Sequence, residues 1–287
     1  MGSWIIVQSR MVFRSLSRLL AVAGVQSSPV LDSRSIWRRH VVEKIALVTG
    51  AAGGLGQSVA ARLAEAGWTL IVTSRDGERL RRSYGDSHLQ VVADCSSVAG
   101  SQHIFEVAKA HQMLPTALAH CVGNIRLGAL HRMADADFTA CLNANLISAF
   151  HTLAAFVGAL RDAKCPGTAV LVSSAAARIG TPNHEAVAAA KAGVEGLVRS
   201  AAATYAGYGI RINAVAPGIM DTPASTAILG TTMGREAAAR QYPLPGIGSA
   251  DELAELMVWL LSEKAVRVTG QVWSMDAGFS TIRPLVR

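Results

Sequence analysis

Residues 43–287 are predicted to fold as one α/β domain, a doubly wound parallel sheet with helices on both faces. Three observations predict it. Short β-branched, apolar runs alternate with Ala-rich helical stretches throughout this region, the spacing of strand–helix–strand units joined by right-handed crossovers. The strand runs are continuously apolar rather than alternating, as befits strands covered on both sides. No linker, repeat or low-complexity tract interrupts them, and a span of about 245 residues fits a single domain.

The elements follow in order. Ile45–Thr49 reads as the first strand, and a glycine-rich turn leads from it into a helix over Gly56–Ala66. Further strands are predicted at Thr69–Thr73, Gln90–Val92, Ala117–His120, Thr168–Val172, Arg211–Val215 and Gln271–Ser274. Between them, Ser101–His111, Ala136–Arg161, Ala186–Gly207 and Ala250–Leu261 carry the composition of helices. The chain is 51% hydrophobic and only 16% charged, which excludes disorder, because disorder needs low hydrophobicity and high charge. Cys95, Cys121, Cys141 and Cys165 show no CxxC spacing, so neither a disulfide framework nor a zinc site is expected.

The net charge of +7 is unevenly placed. Residues 1–42 hold six arginines (10, 14, 18, 34, 38 and 39) against one acid, Asp32, and so carry +5 of it. The nearly neutral remainder lacks the basic footprint of a nucleic-acid partner. Arg10, Arg14 and Arg18 share one face of a helical segment, with Val12, Leu16, Leu19 and Leu20 roughly opposite. An Arg- and Ser-rich, acid-poor, amphipathic leader is the signature of a transit peptide to the mitochondrial or another organelle matrix; a disordered basic arm is the other reading. No uninterrupted apolar run approaches the ~18–20 residues of a membrane span.

The turn after the first strand is Thr49-Gly50-Ala51-Ala52-Gly53-Gly54-Leu55-Gly56. Glycines at a strand–helix junction let the backbone approach a pyrophosphate, and the helix N-terminus offers N–H donors and a positive dipole. The pattern of Thr49, Gly50, Gly54 and Gly56 resembles the short-chain dehydrogenase/reductase superfamily, and the resemblance continues in register over residues 43–280. Asp94 stands where the family's aspartate touches the adenine, and Asn145 matches its helix asparagine. Ser174 and Lys191 match its serine and lysine. Arg211-Ile212-Asn213-Ala214-Val215-Ala216-Pro217-Gly218 is similar to its RxNxxxPG segment, and Val268-Thr269-Gly270-Gln271 with Asp276-Ala277-Gly278 to its closing strand.

The resemblance implies a single Rossmann-type domain binding a nicotinamide dinucleotide through Thr49, Gly50, Gly54, Leu55, Gly56, Arg75, Asp94, Gly123, Lys191, Pro217 and Gly218. After the second strand, Ser74-Arg75 replaces the acid that NAD enzymes place there. A guanidinium pairs a 2′-phosphate, whereas an acid repels it, so NADPH is expected.

Family catalysis uses a tyrosine four residues before the lysine, and here that position is Val187. Ser174 is expected to polarise a carbonyl, Asn145 to anchor a water relay and Lys191 to bind the nicotinamide ribose. His184 is a candidate substitute donor, since imidazole titrates near neutrality; an exposed loop histidine is its other reading. The fourth strand ends His120-Cys121-Val122-Gly123 where the family has NNAG, so two amides that steady the sheet and the cofactor's edge are missing. Three activities stay open: a carbonyl reductase with a relocated donor, a dienoyl-CoA-type double-bond reductase that needs no such tyrosine, and a pseudoenzyme serving as a structural or regulatory subunit.

Residues from Thr222 to Leu244 should form a substrate lid. Ala224, Ala227, Ile228, Leu229 and Met233 suit an acyl chain, and Arg235 is a candidate for a coenzyme A or phosphopantetheine phosphate. The pattern is most similar to 3-oxoacyl-acyl-carrier-protein reductases, implying an acyl-thioester substrate. The Ala- and Gly-rich stretch 186–207 implies a homodimer or tetramer, or a hetero-oligomer with an active paralogue.

Overall fold

Seven parallel strands form the central sheet of the computed structural model, which describes residues 44–283; the predicted leader lies outside them. In chain order they are β1 (Ile45–Thr49), β2 (Thr69–Ser74), β3 (Leu89–Val92), β4 (Ala117–His120), β5 (Gly167–Val172), β6 (Ile210–Pro217) and, after a two-stranded excursion, β9 (Val272–Met275). Their spatial order is β3-β2-β1-β4-β5-β6-β9, all parallel. The order reverses between β1 and β4, which opens a crevice at their carboxyl ends, where doubly wound folds bind ligands.

Both faces of the sheet are core. Ile45, Leu47, Ile71, Leu118, Leu171 and Ile212 pack on one side beneath α3 (Val98–Ala110), α5 (Ser148–Asp162) and α6 (Glu185–Tyr205). Ala46, Val48, Leu70, Val72, Ala119 and Val170 pack on the other beneath α1 (Gly54–Glu65), α2 (Gly77–Tyr84) and α9 (Ala250–Leu261). Alternate residues of one apolar run thus serve opposite cores, which explains why the runs do not alternate in polarity.

The long helix predicted over 136–161 is interrupted. It comprises α4 (Asp135–Leu142), a π-helical turn (Asn143–Ile147) and α5. By length and composition Asp135–Asp162 is apolar enough to cross a membrane. Its apolar side chains nevertheless lie in the domain core, where Leu153, Phe156 and Leu160 are buried against the sheet. The helix α2 was not anticipated; Asp76 caps it by accepting from the Arg79 N–H, the usual role of an aspartate at this position.

The stretch predicted as a lid holds more structure than expected. It contains α7 (Thr226–Leu229) and α8 (Thr232–Ala239), and strands β7 (Met220–Asp221) and β8 (Gly248–Ser249) close its base as a separate pair. The Arg211 and Asn213 side chains turn out to be braces. Arg211 donates to the Val268 and Ser262 carbonyls, and Asn213 bonds Val268 O and the Gln271 N–H. They pin the approach to β9 against β6.

Phe156, fully buried, is the largest side chain in this core. Phe156→Ala should cost about 3–5 kcal/mol, measurable as a fall in the urea unfolding midpoint with little change in slope.

Candidate active site

The β1–α1 turn is shaped by what it excludes. Gly50 has φ +66°, and a β-carbon there would lie 2.8 Å from the Cys121 carbonyl oxygen; one on Gly56 would overlap the Gly50 carbonyl. The β1 end can therefore lie against the β4 end only with glycine at these positions. Gly53, the N-cap of α1, offers no side-chain cap, and the first turn has no acid. The N–H groups of Gly54, Leu55 and Gly56 are left for an anion, aided by the helix dipole.

The helix α2 supports this turn from outside. Tyr84 Oη donates to Ala51 O (2.8 Å), and Arg79 donates to Ala52 O (3.0 Å). Sequence reasoning missed both residues; the Asp76-Gly77-Glu78 cap was the available signal. Thr49 is buried at the end of β1, and Arg75 is exposed just beyond β2. The Asp94 carboxyl lies below its usual range: burial acts against this, but the Ser96 N–H and hydroxyl and the charge of Arg75 outweigh it.

His120 occupies the place of the first missing amide and cross-links two functional elements. Its Nδ1 lies 2.9 Å from Thr49 Oγ1 and its Nε2 lies 3.2 Å from Ser148 Oγ. Ser148 Oγ donates to Ala144 O (2.7 Å), so it must accept from His120 Nε2–H, and Nδ1 in turn accepts from Thr49. Burial, helped by the charge of Lys191, pushes the imidazole down to about 3, so it is neutral. A neutral ring thus ties the cofactor turn to the π-helical turn.

That π-helical turn presents Asn145. Its Nδ2 donates to Asn124 O (3.1 Å), Asn124 Oδ1 (2.9 Å) and Cys141 O (2.9 Å), while its Oδ1 accepts from the Asn124 N–H. Single π turns inside α-helices commonly occur at functional positions. Asn145 thereby holds the loop after β4, and a β-carbon on Gly123 would fall 2.7 Å from Asn145 Oδ1 and 3.4 Å from Lys191 Nζ. Gly123, Asn145 and Lys191 thus meet at one point.

Lys191 is buried, and its Nζ donates to Val172 O at 2.8 Å. Among the described residues no carboxylate pairs with it. Burial lowers it to about 8, although Cys141 and Cys121 nearby act in the opposite sense. Ser174 Oγ accepts from the Ala176 N–H, which leaves its own hydrogen free to point at a carbonyl. Ser173, its neighbour, instead bonds Glu195 within a network through Arg178 to Ser274.

Val187 lies one turn before Lys191, 5% exposed, in an apolar cluster with Cys141, Ala186, Met133 and Phe138. No proton donor takes its place. The His184 ring bonds Pro182 O at 2.8 Å, and no hydrogen bond joins it to Ser174, Asn145 or Lys191. Pro217 ends β6, and Gly218 follows against Tyr242, to whose ring carbon a β-carbon on Gly218 would come within 2.7 Å. Tyr242 Oη accepts from the Ile219 N–H (2.7 Å) and so closes the loop after β6. Arg235, the candidate phosphate ligand, pairs with Asp221 at 2.8 Å.

A family profile described as Enoyl-(Acyl carrier protein) reductase matches residues 50–280. The chain belongs to the short-chain dehydrogenase/reductase family. Among curated relatives, cis-4-hydroxycyclohexanecarboxylate dehydrogenase of Sinomonas cyclohexanicum is 35% identical over 258 residues, covering 84% of this chain and 98% of that protein. The 3-oxoacyl-(acyl-carrier-protein) reductase of Thermotoga maritima is 31% identical over 244 residues, covering 82% and 97%. The solved structure of ElxO with NADP bound shares the fold at a TM-score of 0.76 and 24% identity, covering 83% of this chain and 98% of that one. The protein is thus an oxidoreductase of the short-chain type, and the bare α1 N-terminus, the glycine cradle and an unpaired buried lysine fit a nicotinamide dinucleotide. Thr49, Gly50, Gly54, Leu55, Gly56, Gly123 and Lys191 would hold it.

The His120 bridge has a pH signature. The ring is depressed from 6.5 in the unfolded chain to about 3 in the fold, so the unfolded state binds the extra proton. Stability is therefore full above about pH 6.5 and should fall steadily as pH drops toward 3. In His120→Asn that component of the pH dependence of the urea midpoint should vanish.

Proposed function

We propose that the protein is an NADPH-dependent reductase of acyl thioesters, of the 3-oxoacyl class, working in the mitochondrial matrix as a homodimer or tetramer. The observation that carries this reading is the convergence of Asn145 and Lys191 on Gly123, with Lys191 bound to the Val172 carbonyl at the end of β5, two residues before Ser174. A bound reduced nicotinamide supplies a hydride. The Ser174 hydroxyl polarises the carbonyl, Lys191 holds the ribose hydroxyls, and Asn145 fixes the loop that carries Gly123.

NADPH rather than NADH is supported by Ser74 and Arg75, which leave no carboxylate to repel a 2′-phosphate; the NADP named with ElxO is in keeping. The thioester class is supported by the Thermotoga relative's activity. The exposed Met233 and Leu244, in or beside the lid, supply apolar surface for an acyl chain. The basic leader supports the matrix location, and import into isolated mitochondria with shortening of the chain is the expected result. A second reading, reduction of a conjugated carbon–carbon double bond, is favoured by Val187 together with the matching profile's description. Its enolate would be stabilised by hydrogen-bond donors and would need no phenol.

NADPH oxidation is to be followed with a 3-oxoacyl and a 2,4-dienoyl thioester. Turnover of the first alone supports the principal reading, turnover of the second alone the other, and turnover of neither defeats both. Val187→Tyr should raise 3-oxoacyl turnover, by at most the ~10²–10⁴-fold range of general acid catalysis. Arg75→Asp should raise the KM for NADPH at least about tenfold while leaving that for NADH within about threefold, as expected from losing one charged contact.

A further inference from the structure

The reaction needs a proton for the developing alkoxide, and the family's phenol is absent. The protic groups around position 187 can be taken in turn. On α6, Glu195 is bound to Arg178 and Ser173, and His184, at the helix N-cap, is turned to Pro182 O. From β4, His120 is neutral with both ring nitrogens engaged, and burial raises Cys121 to about 12. From α4, Cys141 is fully buried within the Val187 cluster, and burial raises its thiol despite the nearby Lys191 and Arg126 charges. Ser174, at the end of β5, is too weak an acid to protonate an alkoxide productively. Arg178, beyond β5, is engaged by Glu195, Ser274 and Val272 O.

Lys191 is left. Its ammonium bonds one protein acceptor, Val172 O, and has two further N–H groups and no carboxylate partner. It lies one turn from Val187 on the buried face of α6, about 5–6 Å away at the β-carbon, as residues four apart do. We propose that in this protein Lys191 is itself the general acid, delivering its proton to the substrate oxygen directly or through one water.

This deepens the carbonyl-reductase reading above and rests on it. As hydride from the reduced nicotinamide bonds to the carbonyl carbon, the C=O π pair moves onto oxygen. That oxygen takes a proton from Nζ, the N–H bond breaks, and Lys191 is left as a neutral amine, which solvent reprotonates. An ammonium titrating near 8 is matched to this task, since a donor works best with a pKa close to the working pH. The sign follows: reduction is supported while Lys191 is charged, below about pH 8, and declines above it. Oxidation of the 3-hydroxy product needs the neutral amine and rises over the same range.

The test has two arms. In cofactor-free protein, Lys191 is reductively methylated with ¹³C-formaldehyde, and its methyl resonance, assigned as the one missing from Lys191→Arg, is titrated. A midpoint near 8 is expected; an ordinary lysine midpoint overturns the proposal even if the variants fail to fold. In the second arm, reduction of a 3-oxoacyl thioester is measured from pH 6 to pH 10 for wild type, Lys191→Arg and Val187→Tyr, with NADPH binding followed by fluorescence. Arginine keeps the charge but cannot release a proton near neutral pH. Lys191→Arg should therefore lose at least about 10²-fold in kcat at saturating NADPH, with any change in NADPH affinity read separately by fluorescence. Val187→Tyr should abolish the decline above pH 8. Wild-type turnover with Lys191→Arg equally active overturns Lys191 as donor and leaves the reductase reading intact. No wild-type turnover of the 3-oxoacyl thioester, with Val187→Tyr active, overturns both.

Discussion

A β-carbon on Gly50 would lie 2.8 Å from the carbonyl oxygen of Cys121, and this close approach of the β1 and β4 ends sets the geometry of the site. It brings the α1 N-terminus, with its unpaired N–H groups, over the point where the strand order reverses. It also places Gly123 beside Asn145 and Lys191. The parallel sheet is apolar on both faces, and the crevice for a ligand lies at the carboxyl ends of the strands. Everything that could act on a ligand is gathered along one edge.

The same edge shows how a substitution can be absorbed. Where the family has an asparagine, His120 spans from Thr49 to Ser148, so the cofactor turn and the π-helical turn remain tied by a neutral ring. Imidazole can donate at one nitrogen and accept at the other, which the two hydroxyls here require. Its burial without charge is what makes the link sensitive to acid. Support for the glycine turn also comes from outside: Tyr84 and Arg79 of α2 hold the Ala51 and Ala52 carbonyls, leaving the N–H side of the turn free.

Position 187 is where the site departs most from its family. The valine is packed with Cys141, Ala186, Met133 and Phe138 rather than left as a hole, so the apolar cluster compensates for the missing ring. Lys191 is consequently a buried cation with one carbonyl as its protein acceptor. Burial of a charge without a counter-charge is costly. A site that keeps such a charge is arranged for a ligand to complete it, and the depressed lysine is one expression of that cost.

The strands were legible because each is a continuous apolar run, and all seven of the main sheet were located to within two residues at either end. The glycine turn was legible from residue type and spacing, whereas Asn145, Ser174, Lys191 and the absence at Val187 were legible only through the resemblance to the family. The break in the predicted 136–161 helix was not legible, since the helical composition runs through the π turn at Asn143–Ile147 without interruption. Nor were Tyr84, Arg79 and Tyr242, whose partners lie 23–33 residues away. Sequence by itself determined the architecture, because burial pattern and glycine placement are local properties. Only the tertiary structure decided which groups are free to act. It tied His184 to Pro182, paired Arg235 with Asp221 and left Lys191 without an acid partner, because hydrogen-bond saturation is settled by neighbours that the chain brings in from elsewhere.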